Sequence, residues 1–232
     1  MDFPTLVQEV VKDTNRPDMS SLQGGDGQIE QKVASSTLYL HTLDFFLRDI
    51  QEASVVFDQA AFIQTLDTTE LPRYRSLAYA RKDDPTLSSF QQNPSILPPL
   101  FNSSGAVNMQ QSMAMFELIT ADSIFDEYRY GSEKLDVMYQ AGDVVNFKSS
   151  SSFKQLRFGW YAFPNVDTTA NGANFRSWIA RDFPYAIIYH ASSDIFASTG
   201  KESVSKVYNG PGGHVPTWIN NILISSVTAR GR

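Results

Sequence analysis

The side chains best suited to chemistry in this chain are its histidines, and there are only three of them. His41 and Asp44 stand three residues apart, His190 and Asp194 four apart, each pair in a stretch of helical spacing. Residues so spaced share one face of a helix, so either pair offers a nitrogen and a carboxylate to a cation. A metal site needs a third ligand, and neither neighbourhood suggests one; the plain alternative is a histidine on a helix surface or at a subunit contact. No catalytic, metal or cofactor-binding residue is assigned on this basis. A serine nucleophile on a strained turn would announce itself as GxSxG, which is absent, and Ser103-Ser104-Gly105 lies in a proline-rich stretch without a strand before it or a helix after it. Asp122, Asp126 and Glu127 beside Arg129, and Asp83 and Asp84 beside Lys82, have the makings of a glycosidase acid pair or of ordinary solvated faces. The glycine groups GGDG and GPGG match neither phosphate-cradling pattern and read as caps and turns. FGWYAF has the aromatics of a ligand platform, yet alternation puts Phe158 and Trp160 on one face and Tyr161 on the other, as in a half-buried strand.

The elements that would position these groups follow from periodicity. Thr5 and Gln8 have capping-box spacing ahead of an apolar stripe of Leu6, Val7, Val10 and Val11, and this first helix should end before Pro17. Asp26 is placed to cap a second helix carrying Ile29, Val33, Leu40, Leu43, Leu47 and Ile50, a length of roughly 35 Å. From Ala53 the residues become β-branched and aromatic: ASVVFD and AFIQTLD predict a hairpin turning near Asp58 and Gln59, and RSLAYARK, MAMFELIT, KLDVMYQA, DVVNFK and LRFGWYAF predict further strands, with Ser149 to Ser152 as a hairpin loop. Leu156, Phe158, Trp160 and Ala162 share one face of the last of these. Helical spacing returns in SWIARDFPYAIIYHASSDIFASTG, which Gly200 caps, and ends with TWINNILISSVTA after NGPGG. The expected class is α+β: a helical bundle from residues 1–52 and 165–232, with an antiparallel β-rich insertion at 53–164 that includes a long loop at 84–111.

Composition narrows the function classes. A chain of 232 residues without cysteine has no disulfide, thiolate metal site or thiol nucleophile. Nineteen basic against 25 acidic residues leave a net charge of -6, with no Lys/Arg run to neutralise successive phosphates, so tight duplex binding is not expected. The start lacks a basic segment followed by an apolar one, and no apolar run approaches a membrane span, so neither secretion nor membrane insertion is expected.

TLVQEVVKDTNRPDM, LYLHTLDFFLRDI, VVFD, LPRYRSLAYARK, DVVNFKSSSSFKQLRFGWYAFP and SWIARDFPYAIIYHASSDIFASTGKE together resemble the head-to-tail adaptor, or connector, proteins of tailed bacteriophages, those of short-tailed phages above all. The resemblance runs from about Thr5 into the last helix and is weakest between Pro85 and Gln111. It implies a non-enzymatic virion protein without cofactors, assembled in the host cytoplasm as a closed ring of roughly twelve copies at the head–tail junction, each copy repeating one heterologous contact. The partners it implies are the portal protein, the tail tube or nozzle, tail-fibre proteins and further copies of the chain, with DNA met only in transit and no membrane. An acidic chain suits a channel that must pass DNA without holding it. For the portal contact the sequence offers Trp218, Ile219, Ile222 and Leu223, one side of a short helix behind a glycine-proline hinge; the same residues would serve equally to close their own bundle. For contacts to the tail or a neighbouring subunit it offers Phe90, Ile96, Leu97, Leu100 and Phe101 in the long loop. A ligand- or glycan-binding β module with helical flanks is the alternative class, resting on FGWYAF and the tyrosine-rich DEYRYGSEK.

Overall fold

The computed structural model describes residues 1–82, 115–123, 131, 134–167, 172 and 174–230. The loop residues Phe90, Ile96, Leu97, Leu100 and Phe101, the Ser103-Ser104-Gly105 motif, Asp83 and Asp84, and Asp126, Glu127 and Arg129 lie outside the described residues. Among those described, the protein is of mixed α+β class, with six helices and one five-stranded sheet. The chain divides into two compact units, residues 1–49 with 163–232, and residues 50–162.

The first unit holds the helices: α1 (Phe3–Thr14), α2 (Gln28–Thr42), α3 (Trp178–Asp182), α4 (Pro184–Ser198), α5 (Glu202–Asn209) and α6 (His214–Arg230). Helix α1 starts two residues before the expected capping box. Asp2 is its cap, its carboxylate accepting from the Thr5 amide, and the Thr5–Gln8 box is not used. The second helix is shorter than expected. It stops at Thr42 because the Asp44 carboxylate takes the Phe45 amide and residues 47–49 tighten into a 3-10 turn, so Leu47 falls in that turn and Ile50 opens a strand instead of continuing the α-helix. Phe183 and Pro184 divide the long helix expected near residue 180 into α3 and α4, with Pro184 at the first turn of α4, where a missing amide does no harm. Leu6, Val7, Val10, Ile29, Val33, Leu40, Phe46, Ile179, Ile187, Ala191, Ile195 and Ile222 form one buried core.

The second unit is built around β5 (Val144–Ala162), both ends of which pair with β1 (Ile50–Asp67) on one side, at Val144–Lys148 and Gln155–Tyr161. On its other side β2 (Tyr74–Lys82) pairs with the later half of β5, and β4 (Val137–Ala141) with the earlier half. Strand β3 (Glu117–Leu118) lies parallel to β4, so the sheet is mixed rather than wholly antiparallel. The hairpin expected at Asp58 and Gln59 does not form, and neither does a loop at Ser149 to Ser152: β1 and β5 run straight through both positions. What the turn-like residues produce instead is an irregularity in register between Val56, Ala61 and Ile63, where the Gln64 side-chain amide donates to the carbonyls of Gln59 and Phe153. The expected face of Leu156, Phe158, Trp160 and Ala162 is buried, packed with Phe116, Met138, Val145, Phe147 and Phe153. Gly159 faces the other way because the Tyr79 ring lies across it, and a Cβ there would stand 2.5 Å from Tyr79 Cε1.

Candidate functional site

Helix α2 buries two stripes, and the one not evident from its apolar residues is Glu30, Ala34, Thr37 and His41. His41 closes that stripe and is 2% exposed. Its Nδ1 lies 2.9 Å from Asp49 Oδ1, and its Nε2 lies 2.9 Å from Ser177 Oγ. A carboxylate only accepts, so Nδ1 carries the proton, and Nε2 shares the second hydrogen bond with the Ser177 hydroxyl. Trp178 Nε1 also donates to Asp49 Oδ1 at 2.9 Å. The order carboxylate, imidazole, hydroxyl is that of a hydrolytic triad, with the residues arriving in the chain as His, Asp, Ser.

The surroundings decide how this trio is used. In a hydrolase the imidazole must hand its proton to a leaving group, which requires Nε2 to be open beside the nucleophile. Here Nε2 is covered, and Asp49 is 7% exposed with Oδ2 buried and unpartnered. Ser177 has extended backbone angles and caps α3, its oxygen accepting from the Ala180 amide at 3.1 Å, so one lone pair of the would-be nucleophile is already engaged. Arg48 lies over the Trp178 ring, 5.1 Å from its centroid, and pairs with Asp182 at the end of α3. Phe46 packs edge-on against the same indole at 5.1 Å. As placed, the group is a clasp that fixes the end of α2, the turn at 47–49 and the start of α3 to one another.

His41 therefore gives both ring nitrogens to residues other than Asp44, and in the other helical pair Asp194 acts on His190 through its charge. His190 Nδ1 meets Ser36 Oγ at 2.9 Å, and the Tyr39 ring stacks on the imidazole at 4.7 Å. Burial lowers the pKa of His190 below the ordinary value of 6.5, against the pull of Asp194, with Lys32 adding to the lowering. Asp194 lies 3.7 Å from Lys32. Among the described residues no group of three or more His, Cys, Asp or Glu side chains could hold a metal ion, and no described helix is long and apolar enough to cross a membrane. Nothing in the local sequence of Ser177 or Asp49 signals their meeting with His41, since 136 residues separate Ser177 from the histidine. The readable trace was the register of His41 with Ala34 and Thr37, seven and four residues before it.

The four residues offered for the portal contact sit on α6. Ile222 is fully buried in the helical core, and Trp218, Ile219 and Leu223 pack against it. The opposite face carries Thr217, Asn220, Asn221, Ile224 and Val227, the last two 64% and 65% exposed. Between His214 and Ala229 the helix has no charged side chain, an unusual composition for a face turned to water. The turn before it is tightly built rather than a loose hinge. A Cβ on Gly213 would stand 2.4 Å from the Tyr208 carbonyl oxygen, and one on Gly210 would stand 2.5 Å from that of Lys206.

Aromatic stacking joins α4 to α6, through Tyr185 with Trp218 at 6.0 Å and Tyr189 with His214 at 4.7 Å. Tyr208 of α5 donates to both carboxylate oxygens of Asp13 in α1, at 3.0 and 3.1 Å. Burial, followed by Asp13, pushes the Tyr208 phenol up to about 12 from 10.0. A pKa raised on folding lends stability that is whole below the unfolded value and lost as pH climbs through the folded one. Stability is accordingly expected to fall between about pH 10 and 12, and absorbance titration at the phenolate band should lose one tyrosine's amplitude near 12, where Tyr74 also titrates, in Tyr208→Phe. An unchanged titration curve would contradict this.

The aromatics of FGWYAF are largely spent on packing: Phe158 and Trp160 are buried and stacked with centroids 6.0 Å apart, and the indole donates to the Pro72 carbonyl. No protein-family model matches the chain, and no curated protein sequence matches it.

Proposed function

We propose that the protein is a structural head-to-tail adaptor of a tailed-phage virion, a ring of copies between portal and tail that continues the DNA channel. In this reading the helices from both chain ends form the ring body and the β-rich segment is an insertion directed to other virion proteins. The observation that carries it is apolar surface left exposed beside complete cores. Val204, Val207, Ile224 and Val227 project from the helical unit, and Val56, Phe62 and Ile63 from β1. Ile224 and Val227 lie three apart on one face of α6, and adjoining exposed apolar groups mark a contact surface where isolated ones do not. The portal contact is assigned to the charge-free outer face of α6, because its inner face, with Trp218, Ile219, Ile222 and Leu223, is used at home.

Removing residues 213–232 would take Ile222 out of the core and so confuse folding with docking. The cleaner experiment substitutes Ile224→Asp together with Val227→Asp and measures co-sedimentation with portal particles. Affinity should fall at least about tenfold with the melting curve unchanged. Unaltered binding would remove α6 from the portal contact.

A further inference from the structure

The charges of the sheet are sorted by strand. β1 carries Glu52, Asp58 and Asp67 and no basic residue, while β2 carries Arg75, Arg81 and Lys82 and no acidic one. The two strands flank β5 on opposite sides, about 10 Å apart. Some of these charges are used within the unit: Lys82 pairs with Asp136, and Tyr79 donates to Glu52 across Gly159. Others are not. Arg81 lies directly opposite Arg157 in the register, and neither makes a direct ion pair among the described residues, the nearest carboxylate, Glu52, being held by the Tyr79 hydroxyl. Like charges facing each other across a ladder destabilise it. Asp58, on the far side of β5, also has no ion-pair partner among the described residues, and it sits in the irregular stretch of β1 between exposed Val56 and exposed Phe62 and Ile63.

The geometry points to a head-to-tail contact between copies, in which Asp58 and its apolar neighbours on β1 of one chain dock against Arg81 and Arg157 of the next. Two guanidinium groups in register present several parallel N–H donors, the arrangement that suits a carboxylate. The occupant is a second copy because the missing charges are complementary within one sequence yet lie on opposite flanks of one sheet, where a single molecule cannot join them. A contact between two different surfaces repeats around a ring, whereas a two-fold dimer would need one surface to match itself. This deepens the ring reading and rests on it.

The test exploits charge reversal. Copies with Asp58→Arg, and separate copies with Arg81→Asp and Arg157→Asp, are each expected to lose association at least about tenfold in sedimentation at low salt, alone and on portal particles. An equimolar mixture should recover it, since every interface between unlike copies again pairs opposite charges. Persistent association of each variant alone, or failure of the folded mixture, would overturn the contact and leave the ring reading standing. A wild-type chain that assembles neither alone nor on portal would overturn both. Arg81→Gln gives an independent reading in the monomer, where relief of the like-charge pair should raise Tm by roughly 1–3 °C. A lower Tm would overturn the claim that the facing arginines are a net cost in the free chain.

Discussion

His41→Ala is expected to destabilise the helical unit by about 3–5 kcal/mol, because it leaves Asp49 buried with a single remaining donor, the Trp178 indole. Asp49 already has one oxygen without a partner, so no second donor stands ready to absorb the loss. Equilibrium denaturation followed by tryptophan fluorescence is the measurement, since Trp178 belongs to the clasp itself. Ser177→Ala should cost only about 1 kcal/mol, the usual worth of a helix cap. The ordering of the two separates a clasp from a catalytic trio. A clasp makes the histidine the expensive residue, whereas a working nucleophile would show itself by covalent labelling of Ser177 with an activated-serine probe. Labelling would contradict the covered geometry of Nε2.

Ile222→Asp is expected to cost at least about 4 kcal/mol and to unfold the helical unit at moderate temperature, since it places a carboxylate in the apolar core where α6 packs on α4. Ile224→Asp, two residues on, should change stability by less than about 0.5 kcal/mol, because that position is exposed. The contrast is read from paired thermal melts. Equal effects would mean that α6 does not rest on its own unit with Ile222 inward. The same comparison sorts the two uses first considered for this helix. Trp218, Ile219, Ile222 and Leu223 pack in the core of their own unit, and Ile224 and Val227 lie on the exposed side.

Patterns with a local cause were legible in the sequence. The alternation from Leu156 to Ala162 gave the buried face of β5, and Gly200, at φ 77°, ends α4 as a left-handed cap should. Features settled by distant residues were not. The turn chemistry around Asp58 and Gln59 predicted a hairpin, but the register with β5 carries β1 straight through it, and Gln64 satisfies the disturbed carbonyls from within the strand. Apolar spacing carried α2 on to Ile50, yet a single local bond from Asp44 ends it near Thr42. The clasp could not be read at all, because its three members come from α2, a short turn and a helix cap, and each residue type is ordinary where it stands. The charge sorting of β1 and β2 is a matter of composition. It acquired meaning only once β5 was seen to lie between them.

The adaptor reading meets its most direct test in negative-stain microscopy of the purified protein, imaged alone and mixed with portal particles. Closed rings of the protein coaxial with the portal, abolished by Ile224→Asp with Val227→Asp, are the predicted result. Portal particles that remain bare at saturating protein would contradict it.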